Sequence, residues 1–72
     1  MTVEEGKEML RECMINEDWF EKYGIHAIGL PHGRVTIYSE NPLAQDIKEE
    51  IRSRVEGVDV YFEVEGQATA SV

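Results

Sequence analysis

Along the first sixteen positions, Val3, Leu10, Cys13 and Met14 recur at helical spacing, with acids and bases between them. The spacing predicts a helix over residues 2–16. Thr2 and Glu5 have the separation of a capping box, in which each side chain takes the other residue's free backbone N–H. Glu4 and Glu5 suit the positive end of the helix dipole. Gly6 weakens the centre by about 1 kcal/mol relative to alanine. Asn16 is a poor interior residue and a good N-cap. A break is therefore expected there, with a second helix over 17–23 closed by Gly24; one bent helix through Tyr23 is the alternative. Trp19, Phe20 and Tyr23 fall at helical spacing, and the three rings are expected in the core.

The period then changes. Residues 25–30 (IHAIGL) are short, apolar and compatible with a strand. Pro31, His32 and Gly33 form a turn in which glycine takes positive φ. Residues 34–39 (RVTIYS) are β-branched and aromatic, so the two segments read as a hairpin. Val35 and Ile37 share one face; Arg34, Thr36 and Tyr38 share the other. Asn41 and Pro42 match an N-cap and a first helical residue, which predicts a helix over about 42–55. Leu43, Ile47, Ile51 and Val55 recur every four residues as a stripe for a sheet, and Glu50 with Arg54 makes a favourable i, i+4 pair. After Gly57, residues 58–64 (VDVYFEV) alternate. Val58, Val60, Phe62 and Val64 face one way; Asp59, Tyr61 and Glu63 face the other.

The order is α(α)ββαβ. The crossover between the second and third strands is long enough for a right-handed parallel connection. The expected fold is α+β: a two-layer sandwich, with helices on one face of a three-stranded mixed sheet.

At 72 residues the chain is expected to be a single domain, with residues 67–72 a tail or a weak edge strand. A chain this short buries about 60% of its unfolded surface, which disfavours a large enclosed active site. Apolar residues at 42% and charged residues at 31% are ordinary for a folded domain. The single cysteine, Cys13, excludes an internal disulfide and points to a reducing, cytoplasmic setting. No apolar run reaches the ~20 residues of a membrane span, and the acidic first ten residues do not suit a signal peptide.

The net charge of −8 argues against nucleic acid, whose binders cluster Lys and Arg to meet phosphates. It argues equally against anionic membrane surfaces. The charge is uneven. Residues 1–23 carry −4, residues 40–56 carry −2 and residues 57–72 carry −3, whereas residues 24–39 carry only Arg34. The hairpin is the one segment without an acid.

Residues 23–40 (YGIHAIGLPHGRVTIYSE), followed by a helix and then VEGVDVYFEVEG, resemble two small-module families. One is the αββαβ module found beside trypsin-like serine peptidase domains, matched at Ile28-Gly29, at 35–38 and at 57–66. The other is the BON domain, a periplasmic or membrane-associated interaction module, matched at 33–35 and at 55–60. The similarity covers about two thirds of the chain. It implies a shared topology and brings no catalytic residue, since the serine, histidine and aspartate of the first family lie in a separate peptidase domain. The BON resemblance would imply export, against which the acidic N-terminus argues.

No motif implies a catalytic centre or a cofactor. His26, His32 and Cys13 fit no metal-ligand spacing; the histidines read as satisfied or surface residues, and Cys13 as a structural thiol on the helix stripe. The carboxylate pairs Glu4/Glu8, Glu8/Glu12 and Asp46/Glu50 lie on exposed helix faces, without the burial that tunes a catalytic acid. No serine lies in a nucleophile elbow, and no glycine pattern cradles a phosphate. The candidate site is therefore the wet sheet face: Arg34, Thr36 and Tyr38 beside Asp59, Tyr61 and Glu63, with Ala27 and Gly29 as a low floor. Tyrosine and arginine are enriched in interfaces, and a strand edge offers a second route to dimers. The expected function is a non-catalytic interaction or regulatory module that binds a protein or a second copy of itself. Two other readings stay open: an acidic decoy or inhibitor of a basic target, and a small metal-binding protein.

Overall fold

The Thr2 hydroxyl accepts the Glu5 N–H at 3.1 Å, and the Glu5 carboxylate accepts the Thr2 N–H at 2.8 Å. This capping box starts helix α1 (Val3–Asn16) in the computed structural model, which describes residues 1–65. Leu10 is wholly buried on the inner face of α1. A Cβ on Gly6 would stand 3.1 Å from a Val58 methyl. The glycine lets the helix approach the segment before the last strand, which accounts for a poor helix former at its centre.

Two helices form rather than one bent helix. The break comes later than expected, and α2 spans Trp19–Tyr23. The Glu17 N–H still donates to the Cys13 carbonyl at 2.8 Å, completing the last turn of α1. The chain then reverses at Asp18, whose φ of 56° is a left-handed conformation that aspartate tolerates. Gly24 closes α2 at φ 73°. The aromatic group divides. Trp19 is buried and Tyr23 half-buried, but Phe20 is 57% exposed, because so short a helix presents only one side to the core.

Strands β1 (Ile25–Gly29) and β2 (Val35–Ser39) flank a 3₁₀ turn at Pro31–Gly33. Helix α3 (Gln45–Arg52) leads to β3 (Val60–Val64). Strand β2 is central, antiparallel to β1 and parallel to β3, which gives the expected mixed sheet of an α+β fold. One apolar cluster joins Leu10, Trp19 and Ile51 from the three helices to Ile25, Val35, Ile37 and Val60 from the strands. All three helices thus cover the same sheet face.

Three expectations change. Helix α3 begins at Gln45, not Pro42, and Ala44 occupies the N-cap without a side-chain bond. Asn41 instead presents its carbonyl to the Ser39 hydroxyl at 2.8 Å, and residues 40–44 carry the chain from the sheet to the helix layer. Beyond Arg52 the chain winds more tightly, with i→i−3 bonds from Arg54 to Ile51 and from Val55 to Arg52. The stripe survives these trimmed ends: Ile51 and Val55 are buried, and Leu43 and Ile47 pack against the core. Strand β3 begins at Val60, because Val58 is used against α1. Val64, expected inside, is 53% exposed where the strand leaves the helix layer. Residues 67–72 lie outside the described residues. Among the described residues no helix is long and apolar enough to cross a membrane.

Glu17 and Arg54 tie α1 to the turn after α3 through a bidentate ion pair, with Nη2 to Oε1 at 2.9 Å, and Arg54 also reaches Glu50 at 3.3 Å. The Arg54 hydrogen bonds hold the Glu17 carboxyl below the usual glutamate range.

Leu10→Ala is expected to remove about 2–5 kcal/mol of stability. A domain of this size holds only about 3–5 kcal/mol, so Trp19 fluorescence and circular dichroism should report a largely unfolded variant. An urea midpoint near that of the wild type would show that Leu10 is not central to the core. Glu17 has a lowered folded pKa, so its stabilisation is complete above the ordinary glutamate value and is lost as pH falls through the folded value. Glu17→Gln is therefore expected to unfold at lower urea than the wild type at neutral pH. The two midpoints should converge in acid, and a gap independent of pH would exclude the ion pair as its source.

Candidate interaction face

The face of the sheet away from the helices carries two side-chain rows set by strand register. Gly29, Thr36 and Tyr61 align across the three strands, and Ala27, Tyr38 and Glu63 form the next row. Parallel pairing of β2 with β3 puts the hairpin residues and the β3 residues on this one surface, as the alternation in the sequence implies. Ala27 and Gly29 lie on it as expected.

The surface differs from a simple solvated face. Thr36 is only 3% exposed, contrary to its expected wet position. It sits mid-sheet with strands on both sides, and its hydroxyl donates to the Arg34 carbonyl at 3.2 Å, so the polar atom is satisfied locally. Tyr38 is half-buried, and its ring lies over Gly29: a Cβ there would meet the ring at 3.4 Å. The low floor is thus roofed by tyrosine. Tyr61 is 43% exposed, and the Arg34 guanidinium stands 5.2 Å from its ring centroid, in the range of a cation–π contact. Asp59 and Glu63 are exposed. Asp59 precedes β3 and lies at the end of the face, where Arg34, Gly57 and Tyr61 line a shallow cleft of about 200 Å³ with it. Of the six expected residues, the structure joins Arg34, Thr36, Tyr38 and Tyr61 in one patch and leaves Asp59 and Glu63 on its rim.

The remaining candidates are dispersed. His32 is exposed in the turn at φ 55°. His26 is partly exposed, but one of its ring nitrogens is buried. The register of β1 shifts between Ile25 and Ala27, and the half-buried His26 at this bulge has an Nε2 without a hydrogen-bond partner among the described residues. A bulge depends on pairing between strands, so no local sequence signal marked it. Cys13 is half-buried with Arg54 Nη1 3.9 Å from its sulfur, a cation brought from 41 positions away. Among the described residues no three His, Cys, Asp or Glu side chains come together as a metal-holding group.

Comparison with protein-family models, with curated proteins and with solved structures found no match to this chain.

Gly29→Val is expected to push the Tyr38 ring off the sheet and to cost about 1–3 kcal/mol. The shift should appear in the Tyr38 ring protons and in the urea midpoint. Unchanged ring resonances would show that the ring does not rest on this glycine.

Proposed function

We propose that the chain is a non-catalytic, cytoplasmic interaction or regulatory module that binds a protein partner, or a second copy of itself, through the helix-free sheet face. The observation that carries this reading is the patch itself. Arg34 and Tyr38, from the hairpin that lacks acids, stand on the same sheet face as Tyr61 of β3. Tyrosine and arginine supply large contact area with few degrees of freedom to lose, so such patches form the energetic centres of interfaces. The acidic elements around it favour a polar rim and oppose unspecific association. Neither nucleic acid nor an anionic membrane suits a chain of this charge. No catalytic function is proposed.

The test is a titration of the protein against itself from micromolar to millimolar concentration, followed by amide shifts and by sedimentation. Concentration-dependent shifts centred on Thr36, Tyr38 and Tyr61 are expected for a self-associating module. Tyr61→Glu, at an exposed position, should fold normally and abolish them. For a protein partner, the same variant should lose a complex that the wild type retains. Shifts or complexes indifferent to Tyr61→Glu would place the contact elsewhere.

A further inference from the structure

The outer edge of β3 has a separate character. Strand β3 pairs with β2 on one side, and among the described residues no strand lies on its other side. The Glu65 N–H donates to the Ser39 carbonyl at 2.8 Å. With Ser39 paired to Val64, the alternation of a parallel ladder turns the Tyr61, Glu63 and Glu65 N–H groups toward β2. The N–H and C=O groups of Val60, Phe62 and Val64 therefore point to the outer edge. Beside this edge runs a groove of about 560 Å³ lined by Lys48, Arg52, Val58, Asp59, Val60, Tyr61 and Phe62. Lys48 and Arg52 are one turn apart on α3 and stand 5.6 and 5.0 Å from the Phe62 ring centroid. Neither belongs to an ion pair among the described residues, although Arg54 next to them takes two carboxylates.

We propose that this groove binds an extended peptide segment of a partner protein by strand addition to β3, with carboxylates on the side that faces α3. The backbone of the segment pairs with Val60, Phe62 and Val64. Side chains on its helix-facing side come beside Phe62, where Lys48 and Arg52 meet acidic residues spaced two apart. Its other side meets Asp59, Tyr61 and Glu63, which disfavours acids there. A second β3 fits poorly as the occupant. Antiparallel pairing about Tyr61 would set Asp59 opposite Glu63 of the other copy, a like-charge contact on each side of the centre. The occupant is thus a foreign strand whose acids lie on one face only. This inference concerns a different surface from the helix-free face and does not rest on it.

The probe is a short capped peptide in which glutamate and threonine alternate, titrated into isotope-labelled protein. Saturable shifts are expected at the Val60, Phe62 and Val64 amides, together with slower hydrogen exchange at those three. Replacing the peptide glutamates by glutamine should weaken binding about tenfold or more, as should Lys48→Glu with Arg52→Glu. The milder pair Lys48→Gln and Arg52→Gln guards against a fold effect of charge reversal and should also weaken binding. Equal binding of the glutamine peptide, or no shift at millimolar peptide, would overturn the proposal. Shifts confined to Thr36 and Tyr38 would do the same while favouring the sheet-face reading. Protection of the Val60, Phe62 and Val64 amides in the free protein would show the edge already covered by residues 66–72 or by a second copy, and would also overturn it.

Discussion

The parallel pairing of β2 with β3 is the constraint on which the rest of the structure depends. Two adjacent strands that run the same way need a crossover, and the handedness rule sends that crossover to one side of the sheet. Helix α3 therefore lands on the face already occupied by α1 and α2, and Ile51 joins Leu10 and Trp19 over Val35 and Ile37. A single layer of helices then suffices for a chain of this length, because β2, flanked on both sides, brings buried side chains from every element into one cluster. Among the described residues no element covers the other sheet face. Its chemistry follows from the polar half of the strand alternation.

Cations are scarce in this chain, and their placement is ordered. Of seven Lys and Arg residues, Arg54 ties the turn after α3 to the end of α1 through Glu17, and four others stand over aromatic rings: Lys22 on Tyr23, Arg34 on Tyr61, and Lys48 and Arg52 on Phe62. A ring face attracts a cation without neutralising it. The positive charges are thus fixed in position yet still available, at a net charge of −8 that would otherwise make the whole surface repel acidic partners. Two of those placements coincide with the open face and with the β3 edge.

The elements and their faces were legible wherever one periodic signal dominated. The capping box of α1, the alternation of 58–64 and the stripe from Leu43 to Val55 each describe contacts within one element, so reading the chain locally recovers them. What escaped were features that two distant segments create together. Asn41 and Pro42 carry a strong local helix-start signal, but the Ser39 hydroxyl engages the Asn41 carbonyl and the helix waits until Gln45. Phe20 shares the helical spacing of Trp19 and Tyr23 yet stays outside. Thr36 reads as solvated from its own strand, and only strands on both sides bury it. The His26 bulge and the approach of Arg54 to Cys13 depend on register and on packing across 41 positions, neither of which one segment records.

The two edges of the sheet show why an exposed strand here is not merely a hazard. Unpaired edges invite aggregation, and folded proteins blunt them with bulges, charges or a covering element. Edge strand β1 has two of these protections: the bulge at His26 interrupts its ladder, and both α1 and α2 pack against it. Edge strand β3 has a regular register from Val60 to Val64 and, among the described residues, the short helix α3 beside it. What stands beside it is charge. Asp59, Glu63 and Glu65 repel a second copy of the same strand, whereas Lys48 and Arg52 leave a cationic strip along the groove. A device meant only to prevent pairing would set like charges along both sides of the edge. Under the strand-addition proposal, acids on one side and bases on the other disfavour an identical strand and favour one of opposite pattern, so the same edge that invites pairing also selects its partner.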